Sequence, residues 1–153
     1  MGYVIRISLM MALAATGCDD APAQKENRMT APAPSTSAAT IFGRIGLPMP
    51  EGKVEFAEQM DGMDDAARVI LVTSSAEWKK FSGTLPLSAP DQPPFDEEAN
   101  SHLGPDEQGW QPSRAHGLQT AQFPWKDGSE SLNIGKAPAG RDGVRIFVFW
   151  HQL

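Results

Sequence analysis

The side chains of this 153-residue chain best suited to acid–base chemistry or metal binding are its three histidines, His102, His116 and His151. They lie far apart, and none has the H-x-x-x-H spacing that places two ligands on one helical face. A fold that gathers His102 and His116 with Asp106 would create a carboxylate-rich zinc or hydrolytic site. No G-x-S-x-G elbow, phosphate-binding loop or dinucleotide fingerprint accompanies them. We therefore expect three ordinary polar histidines and keep a small His/carboxylate hydrolase as the alternative.

The second candidate is segment 84–113, which is rich in proline and acidic residues and contains no lysine or arginine. Its acidic residues are Asp91, Asp96, Glu97, Glu98, Asp106 and Glu107. Carboxylates are the ligands that calcium prefers, but the regular D-x-D-x-D-G spacing is missing. A solvated acidic loop is the default expectation, with a cation site or a surface for a basic partner as alternatives. Trp110, Phe123 and Trp125 would be aromatic anchors for such a partner, or else would cover the sheet.

The third reactive group is Cys18, the single cysteine of the chain. Before it come Arg6, the apolar run Ile7–Ala15 and small residues, which is the order found in a secretory signal peptide. The run is shorter than the roughly 20 residues of a membrane-spanning helix. A lone thiol in an exported protein has no disulfide partner within its own chain. The sequence therefore predicts export and requires an explanation for the cysteine.

Residues Ala15-Thr16-Gly17-Cys18 resemble the lipobox of bacterial lipoprotein signal peptides. Thr16 and Gly17 fit the two positions before the cysteine, whereas Ala15 stands where leucine is commoner. The resemblance covers residues 1–18 only. It implies a diacylglycerol on Cys18, removal of residues 1–17 and acylation, for example with palmitate, of the new amino group. The alternative is an ordinary signal peptide cut near Ala14 or Ala15.

Asp19 and Asp20 follow the cysteine. In similar lipoproteins of enteric bacteria, aspartate at this place implies retention in the inner membrane. The resemblance thus implies a lipid-anchored protein of the cell envelope on the periplasmic face of the inner membrane. The outer membrane is the alternative.

The chain divides into three parts: the signal peptide 1–17, a lipidated cysteine with a disordered tether over 18–40, and one globular domain over 41–153. The tether is predicted from prolines among Ala, Ser and Thr without aromatic residues. Removing Arg6 with the signal peptide leaves 12 basic and 19 acidic residues, a formal charge of −7. Such acidity disfavours nucleic acid as a partner. It also leaves anchoring to the lipid.

The periodicity of residues 41–153 predicts a small α+β domain with a mainly antiparallel sheet and one or two short helices. Residues 53–58 alternate, which places Val54 and Phe56 on one face of a strand. Residues 68–73 form a continuous apolar run, typical of a strand buried on both faces, and the two strands can form a hairpin. Further strands are expected over 118–123, 131–134 and 144–151, the last of these at the centre of the sheet. Phe95, Leu103 and Trp110 are expected to pin segment 84–113 to the domain.

A helix is expected between these strands. Ser74 with Glu77 matches a capping box, which predicts a helix through Ser82 that ends at Gly83. Trp78 and Phe81 lie three residues apart, so both should face the core.

These features favour a non-catalytic binding or interaction module without a cofactor or metal ion. Its expected partners are the membrane, through the lipid on Cys18, and a protein of the cell envelope. An inhibitor or immunity-type protein that neutralises a basic toxin or enzyme is a further alternative.

Overall fold

The structure, a computed structural model, describes residues 36–62, 65–86, 95 and 100–153. The α+β prediction is confirmed, because a five-stranded antiparallel sheet is accompanied by two α-helices. Within these ranges no helix has the length and apolar character needed to cross a membrane. Cys18, Asp19, Asp20 and most of the expected tether lie outside the described residues.

The elements follow one another in a simple order. They are α1 (Ala38–Ile45), β1 (Lys53–Met60), β2 (Ala66–Ser74), α2 (Ser75–Ser82), β3 (Gln119–Trp125), β4 (Glu130–Ala139) and β5 (Gly143–Gln152). Short 3-10 turns occupy Asn100–Leu103, Pro112–Arg114 and Lys126–Gly128. The strand order in the sheet is β1-β2-β5-β4-β3, so β5 is central as expected.

The two faces of β5 are both buried. Ile146, Val148 and Trp150 pack beneath the helices, in what we call the helix-side core. Phe147 lies in a second cluster on the opposite face, and Phe149 packs against that cluster. The alternation of side chains along a strand produces this division. A sheet with an apolar centre on both faces needs a cover on both faces.

The expectation that Val54 and Phe56 share a face is wrong. Val54 pairs with Leu71, whereas Phe56 pairs with Ile70, the residue before Leu71 in β2. Glu55 is therefore the extra residue of a β-bulge, and the bulge shifts the alternation by one position. Phe56 packs against the second cluster. Val54 lies on the other face of the sheet and is 37% exposed.

Helix α1 begins inside the range expected to be a tether. The Ser37 hydroxyl accepts a hydrogen bond from the Thr40 backbone N–H, and Gly46 ends the helix in the left-handed conformation. Ile41, Phe42 and Ile45 are buried in the helix-side core. The folded domain thus starts a few residues before residue 41, because these three apolar side chains need a helix to reach the sheet together.

Helix α2 matches its expected bounds. The Ser74 hydroxyl accepts from the Glu77 backbone N–H, and Gly83 is the C-terminal cap. The second half of the capping box is replaced, since the Glu77 carboxylate pairs with Lys80 instead. Phe81 is buried, and Trp78 packs against the same core while remaining partly exposed.

Residues 103–114, which we call the strap, cover the face of the sheet opposite the helices. Leu103 and Trp110 are 0% exposed, and the Trp110 indole N–H donates to the Leu103 carbonyl at 3.0 Å. The Trp110 ring meets Phe147 edge to face, with 5.8 Å between ring centres. The expectation that Leu103 and Trp110 pin the acidic segment is confirmed, because both side chains belong to the core while Pro105 to Gly109 between them are exposed.

Two glycines fix the approach of the strap. Gly135 lies on β4 directly under it, and a Cβ atom there would come within 2.8 Å of Leu103 Cδ1. Gly109 has a φ of 84°, in a tight turn where Glu107 and Trp110 exchange two backbone hydrogen bonds. A Cβ atom on Gly109 would come within 2.6 Å of the Phe56 ring.

Replacing Gly109 by alanine should therefore cost more stability than the same change at Gly128. Both glycines have nearly the same positive φ, 84° and 83°, but a Cβ on Gly128 meets nothing within 4 Å. Each variant should lose about 1–2 kcal/mol from backbone strain. Gly109→Ala should lose about 1 kcal/mol more, because Phe56 must move from its packed position. Urea unfolding of both variants measures the difference, and equal losses would contradict the close packing of strap and β1.

Candidate functional site

The three histidines give no metal centre in the described part of the chain. No group of three or more His, Cys, Asp or Glu side chains comes together there in a way that could hold an ion. His116 is exposed, and the His151 ring lies against Phe149, with 5.1 Å between ring centres. His102 lines a cavity of about 510 Å³ whose wall also includes Ser131 and Glu130.

The polar groups around His102 make structural contacts. The Glu130 carboxylate accepts from the Trp150 indole N–H at 2.6 Å and from Lys126 Nζ at 3.0 Å. The Ser131 hydroxyl oxygen accepts from the side-chain amides of Gln122 and Asn133. No hydrogen bond joins His102 to either Ser131 or Glu130 among the described residues. Among the described residues this cavity thus shows no contact in which a histidine would activate the Ser131 hydroxyl.

The acidic residues of the strap are engaged within the protein. Asp106 accepts from the Ser113 backbone N–H at 3.2 Å and also from the Ser113 hydroxyl. Glu107 pairs with Arg68, with 2.9 Å and 3.1 Å separating its two oxygens from the guanidinium nitrogens. The other acidic residues of the segment, Asp91, Asp96, Glu97 and Glu98, lie outside the described residues. The described carboxylates hold the strap in place and are not directed at a common point.

Arg68 is a buried cation beneath the strap. It is only 5% exposed and lies between two rings, with its guanidinium carbon 5.6 Å from the Trp110 ring centre and 5.4 Å from that of Phe149. A buried cation is costly unless it is paired, and here the ring faces and the Glu107 carboxylate both compensate it. The hydrogen bond from Arg68 and its positive charge lower the pKa of Glu107. This pair fastens the turn of the strap to β2.

Glu107→Gln should destabilise the protein at neutral pH, and the difference from wild type should shrink in acid. The folded pKa of Glu107 lies below its unfolded value, so the carboxylate stabilises the fold above the unfolded pKa of about 4.3. That contribution is lost as the pH falls through the folded pKa. Urea unfolding from pH 7 down to about pH 3 measures both curves.

Glu58→Gln is the matched control, because Glu58 also faces Arg68 but at 3.9 Å. It should change stability much less at every pH. A wild-type minus Glu107→Gln difference that stays constant with pH would contradict the role of the Glu107 charge.

The aromatic residues suggested as partner anchors are structural. Trp110 and Phe123 are each 0% exposed, which rules them out as exposed anchors and agrees with the alternative that they cover the sheet. Trp125 is partly exposed, and its indole N–H donates to the Ile45 carbonyl at 2.8 Å, which joins β3 to α1.

Trp78 instead contributes to an open groove, which we call the Trp78–Lys136 groove. Its volume is about 490 Å³. Its lining residues come from α2, from the start of β3 and the turn before it, and from the adjoining ends of β4 and β5: Trp78, Gly117, Gln119, Lys136, Ala137, Pro138, Gly143 and Val144. Apolar side chains and glycines form most of this wall, and Lys136 is the cation within it.

Local structure brings Lys136 and Trp78 together. Lys136 pairs with Ile146 across β4 and β5, so its side chain projects on the helix side of the sheet. Trp78 is held above by the burial of Phe81 one turn later in α2. The Lys136 ammonium lies 5.9 Å from the Trp78 ring centre and 5.0 Å from that of Phe95.

Lys136 has no carboxylate partner among the described residues, unlike Lys80 and Lys126. The aromatic rings attract its charge but leave the ammonium hydrogens without a strong acceptor. Nothing in the sequence points to Lys136, because one lysine in a short Gly/Pro-containing stretch has no pattern. The aromatic pair of α2 is the available signal, and its spacing alone indicates core packing.

No protein family, curated protein or solved structure matches this chain. What the groove can bind must therefore be argued from its own side chains. A largely apolar cleft whose one cation has no carboxylate partner in the described part of the chain is suited to a ligand with an apolar or planar body and one negative group. A carboxylate fulfils the second requirement by forming a charge-assisted hydrogen bond with Lys136.

Proposed function

We propose that this protein is a bacterial lipoprotein, anchored through Cys18 and carrying a non-catalytic binding domain. The resemblance of residues 15–18 to a lipobox supports the anchor, and it explains the lone cysteine. The segment between Cys18 and the α1 cap Ser37 has the composition of a tether. As a random coil its average reach is about 25 Å, which keeps the domain close to the headgroups.

Asp19 and Asp20 favour the inner membrane, with the domain on the periplasmic side. A diacylated or triacylated cysteine gives nearly permanent attachment, because each buried methylene adds about 0.8 kcal/mol. An acidic domain adds no attraction to anionic lipid, so the acyl chains have to provide the attachment.

The observation that carries the binding function is Lys136 in the Trp78–Lys136 groove, which has no carboxylate partner among the described residues. The volume of about 490 Å³ is suited to a small organic molecule. We assign the groove to a small carboxylate with an apolar or aromatic body. The body would lie against Trp78 and Val144, while the carboxylate would pair with Lys136.

Cys18→Ser should move the protein from the membrane to the soluble periplasmic fraction. Without the thiol there is no thioether, and hence no acyl chain. Cell fractionation and immunoblotting measure the distribution. Thr16→Ser is the control, since it keeps a small residue before Gly17 and should leave the protein in the membrane fraction. A Cys18→Ser protein that remains membrane-bound would disprove the anchor.

Lys136→Gln should weaken binding of the probe phenylacetate by about 5- to 10-fold, the effect of losing one exposed charged contact. Titration is followed by NMR on the indole N–H signal of Trp78 in the full chain carrying Cys18→Ser. Lys79→Gln, which removes an exposed lysine from the same helix, should bind like the parent chain.

Phenethylamine, which has the same ring and the opposite charge, should not shift the Trp78 signal. Equal binding of phenylacetate by the Lys136→Gln and Lys79→Gln chains would contradict the assignment of the groove. That result would leave the lipid anchor unaffected, because fractionation tests it separately.

A further inference from the structure

A second polar cavity lies on the other face of the sheet, between the strap and the start of β5. Its volume is about 210 Å³. Ile70 and Phe147 form an apolar floor, and Gly109, Gln111 and Ala115 contribute from the strap and the residue that follows it. Three charged side chains, Glu55, Arg114 and Arg145, also line the cavity.

The two arginines of this cavity have hydrogen-bonding capacity that the described residues leave unused. Arg145 donates from Nε to Glu55 Oε2 at 3.0 Å, and its terminal nitrogens make no further hydrogen bond there. Arg114 is exposed and has no side-chain hydrogen bond or ion pair within the described part of the chain. Two guanidinium groups thus face one carboxylate, and the cavity has a net positive charge within an acidic protein.

Neither arginine holds the strap. The strap is fastened by the buried Leu103 and Trp110 and by the pair between Arg68 and Glu107. The Arg145 side chain is 39% exposed, and among the described residues its ion-pair partner is the bulge residue Glu55. Glu55 and Arg145 both line the cavity, so their pair leaves part of the Arg145 guanidinium free to meet a ligand there.

Glu55 restricts which anion fits. One of its oxygens, Oε2, accepts from Arg145, whereas Oε1 has no donor among the described residues. A ligand that fills the cavity must accept hydrogen bonds from the arginines and donate one to Glu55. Monohydrogen phosphate and a singly protonated phosphomonoester do both. Sulfate has no proton at neutral pH, so it would face Glu55 with like charge.

We propose that the cavity between Arg114 and Arg145 is a binding site for a phosphate group that carries one proton. The guanidinium groups bind the phosphate oxygens with the paired geometry that arginine favours. The Glu55 carboxylate accepts the remaining P–O–H. The phosphate is either free inorganic phosphate or the exposed monoester of a phospholipid headgroup, and the same three side chains recognise both.

The test uses the full chain carrying Cys18→Ser, titrated with sodium phosphate or sodium sulfate at constant ionic strength. Backbone NMR signals of Gly109 and Ala115 report binding at the cavity. Phosphate should bind at least about 10-fold more tightly than sulfate, a difference of one well-placed hydrogen bond. Arg114→Gln should weaken phosphate binding about 10-fold, and Arg141→Gln, which removes an exposed arginine of the β4–β5 turn, should not.

A second arm identifies the source of the phosphate. Vesicles of phosphatidylcholine, with and without phosphatidic acid, are compared by co-sedimentation with the same three chains. Binding that requires phosphatidic acid and is lost in Arg114→Gln supports the lipid monoester. Phosphate binding without vesicle binding supports the free anion. No shift with phosphate at about 10 mM and no vesicle binding would overturn the proposal.

Two further results would also overturn it. Equal affinity for phosphate and sulfate would show that Glu55 does not take part. Equal losses of phosphate affinity in Arg114→Gln and Arg141→Gln would show that only the overall charge of the protein determines binding. Because Arg114 is exposed, its loss should leave the unfolding midpoint unchanged, which is checked by thermal unfolding of each chain.

Discussion

The domain depends on one constraint, the burial of the central strand β5 on both of its faces. Ile146, Val148 and Trp150 project to one side, and Phe147 and Phe149 to the other. Removing apolar surface from water stabilises the folded state by about 25 cal/mol for each Å². A covering layer on each face of the sheet is therefore favourable. Two short helices cover the first face. The second face is covered by an irregular strap, which has to bury its own backbone and a charged side chain to do so.

The strap explains the unusual polar chemistry in this core. Irregular backbone has fewer internal hydrogen bonds than a helix, so its polar groups need other partners. The Trp110 indole satisfies the Leu103 carbonyl, and the turn at Gly109 pairs Glu107 with Trp110. Arg68 fills the space between Trp110 and Phe149 and reaches Glu107 at the surface. A segment that looks like an acidic loop thereby becomes one layer of the fold.

Both proposed binding sites lie where the covering layers end. Lys136 and Arg145 occur near the β4–β5 turn and project to opposite faces of the sheet, because their cross-strand partners are Ile146 and Ala137. At this end neither the helices nor the strap fill the space completely, which leaves two cavities. Each cavity combines an apolar floor with a cation that the described residues do not fully pair. Each of the two proposals therefore assigns an anion to a cavity of an acidic protein.

Local patterns were enough to predict the α+β fold class, helix α2 and the approximate positions of the strands. Three features depend on residues close together in the sequence: the apolar run of β2, the Ser74 cap of α2 and the two-sided apolar pattern of β5. The sequence by itself therefore predicts them. The motif around Cys18 is local in the same sense, and the prediction of an anchor rests on it alone. Helix α1 was not predicted, because its Ala- and Thr-containing start has the same composition as the segment before it.

Only the tertiary structure decided the β-bulge at Glu55, the burial of Trp110 and the positions of Lys136, Arg114 and Arg145. These depend on contacts between segments distant in the sequence, such as Arg68 with Glu107 or Lys136 with Trp78. A single lysine or arginine carries no periodic signal, and its use depends on whether a carboxylate lies nearby in space. The sequence by itself thus predicts a lipid anchor and determines how the strands form, whereas the fold decided which charges the described residues leave without a partner.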